Sequence, residues 1–273
     1  MTWFEAIVLG IVQGLTEFLP ISSSAHLLVV SQLFGWQDPG AAFTAVSQIG
    51  TETAVIIYFR KDIWRIISTW CRSLVNPQLR SDLDARMGWY VIIGTIPIGI
   101  LGFTFRHQIE TVARNLWLVA AMLIIFGIVL GLADRLGSRR KSLDNLNTRD
   151  GVLYGFGQAL ALIPGVSRSG ATISMGMTLG YNREAATRYA FLLAIPAVLA
   201  SGFFEALQIG SGPAPDWGPT LLATGIAFVT GYLVISWLIR YISSNSYMPF
   251  VIYRVVLGSV ILILLGTGVL SST

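Results

Sequence analysis

Residues 13–26 read QGLTEFLPISSSAH and place a carboxylate, three consecutive serines and a histidine inside an otherwise apolar region. Pro20 and the serines interrupt what would otherwise be one long helix, because proline lacks a backbone donor and clashes with the preceding turn. Residues 1–34 are apolar enough to enter a bilayer, so we predict a re-entrant helical hairpin here rather than a full crossing. Glu17 and His26 are costly in such surroundings and are therefore candidate functional residues.

The chain as a whole has the composition of an integral membrane protein. Of its 273 residues, 54% are hydrophobic and only 12% are charged. A helix that crosses a membrane needs about 20 apolar residues. Stretches close to this length occur at residues 41–59, 88–105, 116–133, 186–209, 219–239 and 249–270. Because these runs do not alternate as barrel strands do, we predict an all-α polytopic membrane protein with six transmembrane helices in one domain, residues 1–273.

Positive charge indicates how the chain is oriented. Residues 60–86 hold six of the eighteen Lys and Arg residues, and residues 134–150 hold five. Loops rich in Lys and Arg stay on the cytoplasmic side, so we place both there and the 106–115 connection outside. This distribution accounts for the net charge without a nucleic acid partner. Cys71, the single cysteine, leaves no internal disulfide and no Cys/His metal cage.

A second interrupted segment, residues 151–180, copies the first after 145 residues. Gln13 and Gln158 are each followed by a proline and, at the same distance from the glutamine, by the first serine of the break; Gly35 and Gly180 follow at matching positions. The charge pattern inserts the two hairpins from opposite faces. These observations predict an inverted-topology repeat, in which two broken helices meet near the membrane centre and form a binding site.

The repeat divides the chain into two halves of similar length. We place the halves at approximately residues 1–133 and 150–270, joined by the basic cytoplasmic loop 134–150. Each half then contains one re-entrant hairpin followed by its transmembrane helices.

The two hairpins carry complementary chemistry. Residues 164–172, PGVSRSGAT, combine a Gly/Ser break with the start of a helix, which presents free backbone N–H groups to an anion. Arg168 adds a fixed cation suited to phosphate oxygens. Glu17, a serine hydroxyl and His26 on the first hairpin would complete the parts of a phosphoryl-transfer site.

Each of these residues also has a simpler interpretation. The serines could be helix caps, His26 could be a buried histidine with its hydrogen bonds satisfied, and Arg168 could pair with Glu17 or Glu205. We interpret Glu52 as a supporting or structural residue. Arg254, in the last predicted helix, either extends its charge to the membrane surface or contacts a substrate phosphate.

The stretches QGLTEFLPISSSAH and PGVSRSGAT resemble the two signature motifs of the undecaprenyl-pyrophosphate phosphatase family, the bacitracin-resistance type of membrane phosphatase. The resemblance implies six transmembrane helices plus re-entrant hairpins, and hydrolysis of undecaprenyl diphosphate to the monophosphate carrier used for cell-wall polymers. It also implies a location in the bacterial plasma membrane. The family pattern (E/Q)xxxE falls on Gln13 and Glu17, so this chain lacks the second carboxylate that some members have in this motif.

The residues and the resemblance together give the expected site. The expected catalytic residues are Glu17, Ser23, His26 and Arg168. The expected substrate-binding residues are Gln13, Ser22, Ser24, Ser167, Ser169, Gly170, Thr172 and Arg254. A divalent cation, Mg²⁺ or Ca²⁺, is expected with Glu17 as its only acidic ligand in the motif, so the diphosphate would supply much of the coordination.

Two mechanistic questions stay open at this point. Ser23 could attack the terminal phosphorus while His26 and Glu17 manage the proton, or His26 could be the nucleophile with Glu17 as base. A polyprenyl-phosphate transporter or flippase is the alternative function, because inverted repeats are typical of carriers. The expected partners are a polyprenyl diphosphate that reaches the site from the external side, and membrane lipids, with a homodimer as one option.

Overall fold

A computed structural model describes residues 1–38, 40–112, 115–208 and 216–272. Within these ranges the chain forms twelve α-helices and three short 3-10 turns, without a β-strand. The helices are α1 Trp3–Phe18, α2 Ser23–Leu33, α3 Gly40–Tyr58, α4 Arg60–Val75, α5 Leu83–Thr104, α6 Arg106–Val112, α7 Leu116–Leu136, α8 Thr148–Ala159, α9 Arg168–Thr178, α10 Arg183–Gln208, α11 Trp217–Ile242 and α12 Met248–Gly266.

Five helices in the described ranges are long and apolar enough to cross a membrane. They are Leu83–Thr104, Leu116–Leu136, Arg183–Phe203, Trp217–Ile242 and Met248–Gly266. This finding confirms an all-α, multi-pass membrane protein, and the five helices coincide with five of the six predicted crossings. The remaining predicted crossing, residues 41–59, coincides with α3, which is helical but not among the five. The sixth crossing therefore stays a prediction.

The basic stretch predicted as a loop at residues 60–86 is mostly helical. Its first part forms α4, in which Asp62 lies in the first turn and Arg72 in the last turn. These charges complement the helix dipole and favour a helix over an open loop. Trp64 and Ile67 on α4 are strongly exposed, as expected of an amphipathic helix that lies along a membrane surface.

Both predicted hairpins are broken helices, and the breaks lie where proline and serine predicted them. α1 ends at Phe18 and α2 begins at Ser23, whereas α8 is followed by a 3-10 turn and then α9. Ser22 and Ser167, the residues just before α2 and α9, have φ values of 74° and 71°. Non-glycine residues rarely adopt positive φ, and such strained positions cluster at functional sites.

Each hairpin packs against a long helix of the other half of the chain. α1 lies along α11, and α8 lies along α5. Glycines permit the close approach in both places: a Cβ on Gly10 would lie 2.6 Å from the backbone oxygen of Ala223, and one on Gly155 would lie 2.4 Å from that of Gly94. α7 packs on α12 and α3 on α10, so the two breaks are enclosed by long helices.

Candidate active site

Glu17 lies at the centre of the polar groups that the two hairpin breaks bring together. Its side chain is only 5% exposed. Ser23 Oγ donates to its Oε2 at 2.7 Å, and Gln13 Nε2 donates to the same oxygen at 2.9 Å. Arg168 Nη2, from the other hairpin, donates to Oε1 at 2.8 Å. Gln13, Ser23 and Arg168, all predicted for the site, thus meet at the carboxylate of Glu17. Arg168 does so although it lies at least 145 residues further along the chain than the others.

Arg168 has a second acidic partner that the sequence did not place in the site. Its Nη2 also donates to Glu52 Oε1, at 3.1 Å. Glu52 lies on α3 and is 1% exposed. From the sequence, Glu17 and Glu205 were the candidate ion-pair partners of Arg168. The structure pairs Arg168 with Glu17, while the side chain of Glu205 lies outside the part of the chain that is described.

A cavity of about 570 Å³ opens beside these groups. Its lining includes the polar residues Glu17, Ser22, Ser23, Ser24, Ser167 and Arg168. It also includes apolar residues, among them Ile98 and Phe103 from α5, Leu162 from the 3-10 turn and Val198 from α10. A cavity lined by both kinds of residue suits an amphiphilic ligand whose head group is anionic and whose tail is hydrocarbon.

Four polar residues of the cavity wall were not predicted from the sequence. They are Gln48 on α3, Thr95 on α5, Arg106 on α6 and Ser201 on α10. None belongs to a motif, and each comes from a helix whose rotation is fixed by packing. The apolar pattern of those helices does not single out one polar side chain, so no signal in the sequence identified them.

The remaining serines and the threonine of the expected site have mostly local partners. Ser22 Oγ lies 3.2 Å from Ser24 Oγ, and Ser167 Oγ lies 3.2 Å from Ser169 Oγ. Ser167 Oγ also accepts from the backbone N–H of Gly170 at 3.2 Å, which caps α9. Ser169 Oγ donates to the carbonyl of Leu19 at 3.2 Å, which connects the two breaks.

Thr172 faces its own helix, because its Oγ1 donates to the carbonyl of Arg168 at 2.7 Å. Ser169, Gly170 and Thr172 are all buried and do not line the cavity. The capping interpretation of the sequence thus describes Ser167, whereas Ser22 makes no side-chain cap bond.

His26 stands behind the first break and does not line the cavity. Its Nδ1 lies 2.7 Å from the carbonyl oxygen of Ser22, and its Nε2 lies 2.7 Å from Tyr253 Oη. The His26 and Tyr253 rings are stacked with their centres 5.6 Å apart. Tyr253 was not predicted to take part, because an exposed-face tyrosine in an apolar helix carries no distinguishing pattern.

Arg254 is fully buried and connects both breaks to α7. Its guanidinium donates to five backbone carbonyls: Pro20 at 2.9 Å, Gly165 and Val166 at 3.0 Å each, Leu123 at 3.1 Å and Met122 at 3.3 Å. Neither sequence interpretation describes this placement, since the side chain neither extends to the membrane surface nor lines the cavity. The structure gives Arg254 contacts to the backbone of the site rather than to a substrate position.

The donor set at Glu17 determines what metal the site could hold. No cluster of three or more His, Cys, Asp or Glu side chains occurs among the described residues. Glu17 Oε2 and Ser23 Oγ are nevertheless neighbouring oxygen atoms, and oxygen is the ligand type that Mg²⁺ and Ca²⁺ prefer. Such an ion usually takes one or two carboxylates and fills its shell with substrate phosphate oxygens and water. The residues fit a cation that is shared with a substrate.

This geometry is suited to nucleophilic chemistry on a phosphate. The Ser23 hydroxyl donates to a buried carboxylate, which is how a weak nucleophile is activated. Arg168 lies on the other side of that carboxylate, so a guanidinium is available for phosphate oxygens. The strained breaks hold both side chains at the first position of a helix, where the dipole also favours an anion.

Comparisons with known proteins show the family of this chain. Residues 6–260 match the family model described as bacitracin resistance protein BacA. Undecaprenyl-diphosphatase 2 of Streptomyces coelicolor is 60% identical, over 99% of this chain and 97% of the relative. Undecaprenyl-diphosphatase of a Nocardioides species is 59% identical over 99% of each chain, and that of Micrococcus luteus is 57% identical over 100% of each. The chain therefore belongs to the bacitracin resistance protein BacA family.

Proposed function

We propose that this protein hydrolyses undecaprenyl diphosphate to undecaprenyl phosphate and inorganic phosphate, and so recycles the lipid carrier for cell-wall polymer synthesis. The observation that carries the proposal is the Ser23–Glu17–Arg168 arrangement, with spacings of 2.7 and 2.8 Å, in the lining of a largely apolar cavity. The names of the relatives, undecaprenyl-diphosphatase, give the same activity.

Ser23 is the nucleophile in the proposed mechanism. Its Oγ attacks the terminal phosphorus and forms a P–O bond, while Glu17 takes the hydroxyl proton. The bond from that phosphorus to the bridging oxygen breaks, and undecaprenyl phosphate leaves with the bridging oxygen. Arg168 neutralises charge on the phosphoryl oxygens during transfer. Glu17 gives its proton to the departing undecaprenyl phosphate and is a carboxylate again. It then takes a proton from a water molecule that attacks the phosphoserine; the bond from phosphorus to Ser23 Oγ breaks, Ser23 Oγ recovers the proton from Glu17, and inorganic phosphate is released.

His26 supports this reaction from behind the break. Its contact with the carbonyl of Ser22 at 2.7 Å fixes the residue that precedes the nucleophile. Both ring nitrogens have partners at hydrogen-bond distance, and neither is bonded to Glu17. This arrangement supports Ser23 rather than His26 as the proposed nucleophile, with Glu17 as the proposed proton acceptor.

Phosphate release from undecaprenyl diphosphate tests the function directly. Purified protein in detergent should release phosphate, whereas Ser23→Ala should reduce the rate to the background. Ser68→Ala is the matched control, since Ser68 lies on α4 and bonds only the carbonyl of Arg65 in the described structure. Near-parental turnover by Ser23→Ala would refute the serine mechanism. Trapping the phosphoenzyme with terminally labelled substrate should place the label on Ser23, and label on His26 would favour the other nucleophile.

We also propose that a divalent cation, Mg²⁺ or Ca²⁺, binds together with the diphosphate. Glu17 Oε2 and the substrate oxygens would hold it, with Ser23 Oγ beside them. Such an ion supplies charge neutralisation and polarises the phosphoryl oxygens. Chelation should therefore remove most activity, and readdition should restore it. Unchanged activity after exhaustive chelation would contradict the proposal.

The two hairpins are proposed to be re-entrant and related by an inverted repeat. α2 and α9 begin and end 145 residues apart, as Ser23–Leu33 and Arg168–Thr178. α1 packs on α11 and α8 packs on α5, which is the exchange that an inverted repeat predicts if α5 and α11 are counterparts. With 16 residues in α1 and 12 in α8, neither reaches the roughly 20 residues needed for a crossing. These features support six crossings, with α3 as the sixth.

The cavity is proposed to open toward the external side of the plasma membrane. It is lined by the second half of α5, including Thr95 and Phe103, and by Arg106 beyond it. The distribution of Lys and Arg predicts that this end of α5 lies on the external side of the membrane. Cys71, exposed on α4 and the only cysteine in the chain, provides the test. A membrane-impermeant maleimide should label it only in permeabilised cells, and labelling in intact cells would reverse the orientation.

A polyprenyl-phosphate transporter remains a distinct activity, but the comparisons do not favour it. The relatives are named for hydrolysis, and a carrier needs no hydroxyl bonded to a carboxylate at its anion site. Movement of labelled lipid between leaflets by the hydrolysis-deficient Ser23→Ala protein would show an additional transport activity.

A further inference from the structure

Glu52 brings a second carboxylate to the site from a helix outside both motifs. It lies on α3 and its side chain is 2% exposed. Its Oε1 accepts from Arg168 Nη2 at 3.1 Å, and the same nitrogen donates to Glu17 Oε1 at 2.8 Å. One nitrogen atom of Arg168 thus holds Glu52 Oε1 and Glu17 Oε1 close to each other.

The second oxygen of Glu52 is in an unusual position. Glu52 Oε2 is buried and makes no hydrogen bond to any described residue. A buried carboxylate oxygen without a partner is costly, because the group has lost its hydration without gaining a hydrogen bond. One carboxylate, Glu17, would already neutralise Arg168. A second carboxylate at this cost indicates a role beyond holding the fold together.

The formal charges also indicate a role for Glu52 beyond holding the fold together. Glu17, Glu52 and Arg168 together carry one net negative charge, in a place where a diphosphate is to bind. Gln13 and Ser23, the other side chains hydrogen-bonded to Glu17, are neutral. Both carboxylates accept from Arg168 Nη2, so the N–H groups on Nε and Nη1 are further donors of the same guanidinium for phosphate oxygens. If a bound phosphate draws the guanidinium away from Glu17 while Glu52 keeps its contact, Glu17 becomes free to accept the Ser23 proton.

We infer that Glu52 is the positioning residue for Arg168: it holds the guanidinium toward the phosphate while Glu17 changes from an ion-pair partner to the general base. The inference rests on the proposed function. The proton moves from Ser23 Oγ to Glu17 in the same step as described above, and Glu52 takes part in no bond that forms or breaks.

Glu52→Gln separates this role from a structural one. The variant keeps the shape and one hydrogen-bond acceptor but removes the charge, so Arg168 stays on Glu17 and lowers its basicity. We expect kcat to fall by about tenfold to a hundredfold, the lower range for loss of a general base. KM should be unchanged or lower, because the site loses one negative charge. For the same reason, inorganic phosphate should bind as tightly as to the parent or more tightly.

The control variant changes a neighbour of Glu52 on the same helix, and the rescue variant changes Glu52 itself. Thr53→Ala should behave as the parent, since Thr53 is exposed and bonds only the carbonyl of Ile49 in the described structure. Glu52→Asp restores the charge on a shorter side chain and should exceed the kcat of Glu52→Gln. An Asp variant no better than the Gln variant would count against a charge-based role.

Two outcomes would overturn the inference. One is a kcat of Glu52→Gln within twofold of the parent. The other is a fall in kcat with a higher KM, weaker phosphate binding and a lower melting temperature, which is the behaviour of a structural residue.

The proposed function can fail separately, through parent protein that releases no phosphate from undecaprenyl diphosphate. In that case the affinity for inorganic phosphate is the measurement that tests the positioning role of Glu52. Arg168→Gln should weaken it and Glu52→Gln should not, whereas equal weakening by both variants would overturn the inference.

Discussion

The two hairpin breaks have almost the same backbone and carry opposite chemistry. Ser22 and Ser167 adopt φ values within a few degrees of each other, and each is followed by a helix that begins at the next residue. That next residue is Ser23 in the first break and Arg168 in the second. One backbone arrangement thus presents a hydroxyl from one side of the site and a guanidinium from the other.

The residues before the breaks differ more strongly. Gln13 donates to Glu17 at 2.9 Å, whereas neither polar atom of Gln158, its counterpart, has a partner among the described residues. The position that corresponds to Glu17 is Leu162. Of the two hairpins, only the first therefore supplies a carboxylate, and the two hairpins make unequal contributions to one site.

Removal of Arg254 should have the largest effect, because it disrupts both breaks at once. Arg254→Met keeps much of the volume but leaves buried carbonyls at Pro20, Gly165 and Val166 without their donor. We expect the free energy of unfolding to fall by about 4 kcal/mol, since each buried polar group without a partner costs about 1–3 kcal/mol. Thermal unfolding in detergent measures the change.

The control for this variant is Arg188→Met, because Arg188 pairs with Asp62 away from the cavity. It should unfold close to the parent temperature. Parental stability of Arg254→Met would show that the carbonyl contacts do not hold the two breaks together.

Arg168→Ala should remove the guanidinium that the second hairpin contributes to the site, while the side chains of the first hairpin stay in place. We expect a loss of about 3 kcal/mol of transition-state stabilisation, or more than about a hundredfold in kcat/KM. Steady-state phosphate release measures it, with Arg188→Ala as the control. An Arg168→Ala protein within tenfold of the parent would remove Arg168 from the mechanism.

Substitution of the two glutamines should give the smallest effects, and effects of opposite kinds. Gln13→Leu removes one donor from Glu17 and should lower kcat/KM by a few fold, about 1 kcal/mol for one hydrogen bond. Gln158→Leu removes an amide that has no partner among the described residues, so it should leave activity unchanged and raise the melting temperature. Equal effects of the two variants would contradict the unequal roles of the hairpins.

The sequence predicted the hairpins well because their determinants are local. Proline and serine mark both breaks, and an offset of 145 residues relates the serines that begin them. Glu17, Ser23 and Arg168 could be assigned to one site on this basis, and the structure brings them together. The five long apolar helices were likewise readable from composition alone.

Other features depend on packing and could not be predicted. Glu52 reaches Arg168 only because α3 packs on α10 and α11 in one particular rotation. The direction of Arg254 depends on where the two breaks leave their carbonyls. α4 was predicted as a loop because its charges outweigh its apolar residues in a simple hydropathy count, although their spacing suits a helix.

The five contacts of Arg254 also bear on how the lipid can move. One guanidinium joins the backbones of both breaks to α7, so the two halves of the site cannot slide past each other unless several of these bonds are lost together. Substrate and product must then exchange around a stationary centre, by sideways passage of the chain between helices.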